Sequence, residues 1–326
     1  MPRPGVTLPV VEYLNEMPVQ STAGSCMVMD RRGPLSNPNL YFIVPVATSG
    51  ANSVQLWALN VLTNSWIHLA DPPIGIFAVI GVGTQAVFDE SMQRIWLFNA
   101  ASAVPWCAFH YYDIATDTWT ARSGALGLAA QWSTDAAMLH CDEVISGGAG
   151  PGDDHIYLIG NNSVDIQDYT ISTNTWAQLT GAGAARAAAP AVGSTLTWNL
   201  NETDFIYSFR GGGVATLDEY EVSTDTWTSG VAYIPVGTLL WDEGSCTCEV
   251  YPSGFGTGNP VGYAAMNGTV YQSDRLGTHS QCCKIDGTDG LAHVGKSLVA
   301  YSYAGVRYVV YRLHTGRSVQ RIRLID

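Results

Sequence analysis

Four cysteines crowd the last third of the sequence: Cys246 and Cys248 in 244-GSCTCEVY-251, and Cys282 and Cys283 in 281-QCCKIDGTDG-290. Closely spaced thiolates are the raw material of a tetrahedral metal site. The spacing works against one here, because structural zinc pairs usually leave two or more residues between their cysteines. Cys-x-Cys places both side chains on one face of a strand, whereas Cys-Cys sends them to opposite faces. Read as the first and third strands of one sheet, the two pairs are separated by steps of ~4.8 Å. Four thiolates so placed do not meet around one ion. Free, buried or half-buried thiols are the expectation, with a metal site or a disulfide as the alternatives. Cys26, Cys107 and Cys141 bring the count to seven, an odd number in a chain too long for a disulfide-stapled fold.

Other candidates for chemistry are thinner. Asp153, Asp154 and His155 in 151-PGDDHI-156 have the right types for a cation, but no glycine-anchored calcium loop surrounds them. The run reads instead as a connection leading into a strand. Asp242, Glu243 and Glu249 would be paired carboxylates only if a cleft set their separation. His68, His110, His140, His155, His279, His293 and His314 show no metal-ligand spacing, and no Gly-x-Ser-x-Gly elbow occurs. The glycines of 209-FRGGG-213 lead into another strand and not into a helix, so no helix N-terminus awaits a phosphate. No catalytic residue, metal ligand or cofactor is expected, and the residues of any binding site stay open.

The elements that would position such residues are strands. Of the 326 residues only 13% are charged, while 34 are Gly and 47% are hydrophobic. Few charges with many glycines, threonines and aromatics suit a β chain with tight turns. A formal net charge of −13, with Lys284 and Lys296 the two lysines, argues against nucleic acid, since phosphate neutralisation needs clustered basic residues. Arg307, Arg312, Arg317, Arg321 and Arg323 are spaced to line strand faces. No apolar run reaches the ~18 residues of a membrane span, and the first 20 residues lack the apolar core of a secretion signal. Synthesis in the cytoplasm is the expectation.

One pattern recurs. Trp66, Trp119, Trp176 and Trp227 stand 53, 57 and 51 residues apart. Each closes a similar phrase: 59-LNVLTNSW-66, 112-YDIATDTW-119, 169-YTISTNTW-176 and 220-YEVSTDTW-227. Tyr112, Tyr169 and Tyr220 begin the last three. A second anchor precedes each phrase, in 39-NLYFIV-44, 94-RIWLFN-99, 155-HIYLIG-160 and 205-FIYSFR-210, with Tyr157 and Tyr207 in the last two. One period reads strand, turn, strand, loop, strand, tight turn, strand. Four strands in roughly 50 residues is the arithmetic of a propeller blade.

In "IYLIG", "IYSFRGGG", "YDIATDTW", "YTISTNTW" and "YEVSTDTW" the chain resembles the kelch-repeat family. The resemblance is firm in the second to fourth units; 97-LFNAAS-102 lacks the family's glycine pair, and 159-IGNNS-163 keeps one glycine. It implies an all-β, six-bladed kelch-like β-propeller, with five or seven blades as the alternatives. Blades are expected at about 21–70, 71–124, 132–180, 186–232, 240–292 and 293–326 of a single domain. The last unit stops after three strands, in 297-SLVAYSYA-304, 307-RYVVYRL-313 and 318-SVQRIRLI-325. An unpaired edge there would be a liability. Residues 1–20 carry 6-VTLPVVEYL-14, which reads as the missing outer strand and closes the ring.

A propeller motif specifies fold and not function. Kelch-type adaptors carry an extra interaction domain before the blades, for which no room is left before residue 21. Copper-radical oxidases on such propellers need a Tyr, a Cys and two His on the axis, and no such set stands out. The Ser-x-Asp-x-Gly-x-x-Trp boxes of sialidase propellers are absent. The expectation is a non-catalytic scaffold that binds protein partners, copies of itself included, in an assembly such as a phage tail or capsid layer. Alternatives are a monomeric protein- or carbohydrate-binding module, using aromatic loops such as 103-AVPWCAFHYY-112, and an enzyme with an axial site.

Overall fold

The computed structural model describes residues 10–20, 25–29, 38–48, 51–73, 84–99, 108–122, 136–141, 155–160, 164–180, 185–191, 194–198, 204–211, 214, 216–231, 246–250, 261–266, 269–273, 279–284, 298–303, 306–312 and 317–324. Among them there is no helix, hence none long and apolar enough to cross a membrane. The chain is an all-β β-propeller. After a first strand, β1 (Val10–Tyr13), five blades of four consecutive strands follow. They are β2–β5 (Cys26–Met29, Asn39–Thr48, Ala51–Asn60, Ser65–His68) and β6–β9 (Gln85–Asp89, Arg94–Asn99, Ala108–Asp113, Thr118–Ala121). Next come β10–β13 (Ala137–Cys141, His155–Ile159, Ile166–Thr170, Thr175–Leu179) and β14–β17 (Thr195–Trp198, Phe205–Phe209, Leu217–Glu221, Thr226–Ser229). The fifth is β18–β21 (Cys246–Val250, Val261–Met266, Thr269–Ser273, His279–Lys284). A further sheet has the order β1-β24-β23-β22, from β22 (Leu298–Tyr303), β23 (Val306–Arg312) and β24 (Val319–Leu324).

All the pairings are antiparallel, and position in the blade explains composition. A second strand such as β11 has a blade on each side, so Ile156, Tyr157, Leu158 and Ile159 are all buried; a continuous apolar run is what burial on both faces demands. An outer strand keeps one residue inside. In β13 this is Trp176, while Thr175, Ala177 and Gln178 are exposed. First strands lie side by side: β2 against β6, β6 against β10, β10 against β14, β14 against β18, and β22 against both β18 and β2.

The blade core forms between neighbours. Tyr169 and Trp176 of one blade pack edge-on against Phe109 of the preceding one, at 4.8 and 5.1 Å between ring centroids. Offset and edge-on aromatic contacts of this kind add stability beyond the area they bury. Val10, Val11, Glu12 and Tyr13 pair with Arg323, Ile322, Arg321 and Gln320. The C-terminal arginines grip that strand and its continuation: Arg317 Nε donates to the Met17 carbonyl at 2.6 Å, and Arg321 donates to the Glu12 carboxylate and, at 3.1 Å, to the Val61 carbonyl.

The cysteine pairs lie further apart than first and third strands. Cys246 and Cys248 fall on β18, but Cys282 and Cys283 fall on β21, the fourth strand of the same sheet, beside a register shift at Val270/Tyr271. The unforeseen strand is β19, whose Gly262, Ala264 and Ala265 are weak β formers.

Candidate functional site

The third strand of each repeat has two ends of different character. At one end the repeated tyrosine meets the tight turn to the outer strand. Asn64, Asp117, Asn174 and Asp225 occupy the same place in that turn, with φ of 54°, 53°, 57° and 50°. Asn and Asp tolerate this left-handed geometry better than other residues with a side chain, which is why the repeat keeps them. In the last three the side chain then accepts the tyrosine hydroxyl: Tyr112 to Asp117 at 2.6 Å, Tyr169 to Asn174 at 2.8 Å, Tyr220 to Asp225 at 2.7 Å. Tyr112 gives Asp117 a hydrogen bond, and so does the Ala70 backbone N–H, holding that carboxyl below its ordinary range. Burial pushes the Tyr112 and Tyr220 hydroxyls well above theirs, aided by the same carboxylates.

This end also ties one sheet to the previous one. Ala70, two residues past β5, donates its N–H to Asp117 at 2.9 Å and accepts the Trp119 indole N–H at 2.7 Å. Asn15, two residues past β1, does the same for the first repeat. Its N–H donates to Asn64 Oδ1 at 2.8 Å, and its carbonyl accepts the Trp66 indole at 3.0 Å.

Further into the strand, two residues before the repeated tyrosine, no residue type is kept. The position holds Trp57, His110, Gln167 and Asp218 in successive repeats. Trp57 stacks on His68 at 4.4 Å and donates to Gln55 at 3.0 Å. His110 is buried, and burial lowers its pKa from the ordinary imidazole value. Gln167 is 0% exposed, and neither its amide oxygen nor its amide nitrogen has a hydrogen-bond partner.

Asp218 sits in a built polar cluster. Arg210 holds it with two parallel bonds, Nε to Oδ2 at 2.7 Å and Nη2 to Oδ1 at 2.8 Å. Arg186 adds Nε to Oδ2 at 2.8 Å and reaches Ser208 Oγ with Nη2, also at 2.8 Å. The Gly230 backbone N–H, at φ 72°, approaches Oδ1 at 3.3 Å. Burial alone would raise the Asp218 pKa; the hydrogen bonds and charges of Arg210 and Arg186 outweigh it and hold the carboxyl below its usual range. Arg186 is drawn down by burial against the pull of Asp218. Its guanidinium lies 4.9 Å over the Trp227 ring. Among the described residues of the cluster, two guanidiniums thus share one carboxylate.

A second buried polar group joins the β6 and β10 edges. Asp89 accepts from Ser91 Oγ at 2.7 Å, the Met92 N–H at 2.8 Å and the Trp96 indole at 3.2 Å, so its oxygens are occupied in shaping the turn between β6 and β7. His140 stands 4.0 Å from Asp89 and 3.7 Å from Glu90, too far for the proton transfer an acid–base pair performs. Among the described residues no group of His, Cys, Asp and Glu is arranged to hold a metal.

The residues with chemical potential in the sequence are scattered in the fold. His155 opens β11 and pairs with Asp168 at 2.7 Å, as a residue leading into a strand; Asp153 and Asp154 lie outside the described residues, as do Asp242, Glu243, His293 and His314. The aromatic loop is not an exposed patch where it is described: Phe109 and Tyr112 are each 1% exposed, and residues 103–107 lie outside the description. Tyr157 and Tyr207 are buried on second strands. Asp218, Gln167 and His110 form no motif, and only an alignment of the repeats on their tyrosines brings their shared position out. Arg186 and Arg210 carry no sequence signal of their own.

The fold and this seam define a propeller with one repeating and one diversified end. No family model matches the chain, and no curated protein matches it. Solved structures do. A protein of unknown function from Bacteroides thetaiotaomicron superposes with a TM-score of 0.61 at 11% identity, covering 97% of this chain and 76% of its own. An auxiliary nutrient binding protein from the same organism gives 0.58 at 8% identity, over 100% and 79%. The major Malassezia sympodialis allergen Mala s 1 gives 0.61 at 13% identity, over 98% and 97%. At these identities the likeness is one of fold.

Proposed function

We propose that the chain is a non-catalytic binding protein, a rigid propeller that presents connections to protein partners, copies of itself included, within an assembly of which a virion layer is one type. The observation that carries this reading is the division within the first four repeats. Tyrosine, turn acid or amide, and tryptophan are engaged in holding sheets together, while the opposite end varies from repeat to repeat. Loops on a fixed frame are where binding residues concentrate, and the nutrient-binding neighbour puts this architecture to binding use. Native mass by light scattering over a wide concentration range tests the assembly role. A mass above one chain that grows with concentration supports it. A single-chain mass throughout would move the reading to a monomeric module.

We further propose that the sheet of β1 and β22–β24 is a sixth blade and that β1 closes the ring. Supporting this are the register of β1 on β24 and the Asn15 contacts, which repeat those of Ala70. Arg321 adds a clasp reaching Glu12, Val61 and Tyr301. Deleting residues 1–14 should then lower the thermal midpoint sharply; a truncated chain that melts like the full one would refute closure.

A further inference from the structure

The seam between β14–β17 and β10–β13 holds two idle hydrogen-bond donors in touching side chains. The Arg186 side chain is 0% exposed, yet its Nη1 has no partner. The Trp227 indole N–H, 3% exposed as a residue, has none either. The same indole N–H is used in two other repeats, by Trp66 on the Asn15 carbonyl and by Trp119 on the Ala70 carbonyl. In the fourth repeat the arginine covers the ring and the carbonyl contact is gone. A guanidinium donates and never accepts, and so does an indole nitrogen. The neighbouring Asp218 is already taken by Arg210 and Arg186. What the seam lacks is an acceptor, and its second guanidinium calls for a negative one.

We propose that this seam is a binding site for a small monovalent anion, a halide or a short carboxylate, held by Arg186 Nη1 and the Trp227 indole N–H. Charge sets the valence, because among the described residues Arg186 and Arg210 exceed Asp218 by one. Burial sets the size, because the Arg186 side chain is 0% exposed and Trp227 3%, which favours a small occupant. Of the charged side chains in the cluster Arg210 is the most accessible, at 18%, so the proposal places entry on its side. Gly230 stands on the same side, and a side chain built on it would meet nothing within 4 Å. The site is independent of any protein partner and stands or falls separately from the assembly role.

The test is the thermal midpoint of the full chain as chloride, bromide, formate or acetate replaces gluconate at constant ionic strength. A saturable rise with the small anions is expected, and the anion with the lower half-saturation identifies halide or carboxylate as the occupant. Trp227→Phe keeps an aromatic ring and removes the donor, so half-saturation should move up about tenfold or more, the loss of one hydrogen bond to a charged group. Crystals grown in bromide give a reading that needs no variant. An anomalous peak within hydrogen-bond reach of Arg186 Nη1 and Trp227 Nε1 supports the site. A water there, an empty seam, or a peak without any saturable shift in solution (binding at crystal concentration only) would overturn it.

Discussion

Two positions on the third strand of the first four blades, only two residues apart, follow opposite rules. The tyrosine position is the same in three repeats, and Tyr112, Tyr169 and Tyr220 each donate a hydrogen bond to the turn residue five places on. The position two residues earlier holds Trp57, which stacks on His68, then a buried His110, then Gln167 without a hydrogen-bond partner, then Asp218 between two guanidiniums. The two positions differ in role. The first locks a left-handed turn against the sheet, which admits few solutions, while the second fills a seam, which admits many. Repetition marks the part of a blade that holds the fold, and its absence marks where chemistry has room to differ.

The comparison breaks most visibly at Asp218. Asp218→Ala leaves two guanidiniums without their carboxylate, one of them fully buried, and should cost about 3–5 kcal/mol in urea unfolding. A loss below about 1 kcal/mol would mean the cluster behaves as a solvated surface pair. At the repeating end the effects should be smaller and graded by charge. Tyr112→Phe removes a bond to a carboxylate, worth about 1.5–3 kcal/mol, whereas Tyr169→Phe removes a neutral bond to Asn174, worth about 0.5–1.5 kcal/mol. Equal losses would show that the turn acid is not the acceptor that matters.

His110 sharpens the contrast through pH. Burial lowers its pKa from 6.5, so the folded imidazole stays neutral where the unfolded one begins to take a proton. The unfolded state then binds more protons, and stability falls as pH drops below about 6.5, by at most ~1.4 kcal/mol per pH unit, until the folded group titrates too. His110→Gln should flatten that slope. An unchanged slope would assign the acid sensitivity to other groups.

The same contrast explains what could be read from the sequence. Tyrosine, Asp or Asn, and tryptophan at fixed offsets announce four-stranded units, because each residue type answers a backbone or packing demand. The apolar second strands 155-HIYLIG-160 and 205-FIYSFR-210 announce burial on both faces. Hidden were β19, where Gly262 and the alanines give no strand signal, and the seam at Asp218. Arg186 reaches that carboxylate from 32 residues away through a segment, 184-AARAAAP-190, that reads as featureless. Only the fold brings it there.

One pair of substitutions tests the division directly, on adjacent same-face positions of β12. Gln167 buries an amide with no partner, so Gln167→Leu removes an unsatisfied polar group at similar volume and should leave stability unchanged or raise it by about 1 kcal/mol. Tyr169→Phe, two residues on, should lower it. Measured side by side in urea, opposite signs are the result expected of a strand with one end built for holding and the other free to vary. A Gln167→Leu loss as large as that of Tyr169→Phe would contradict it.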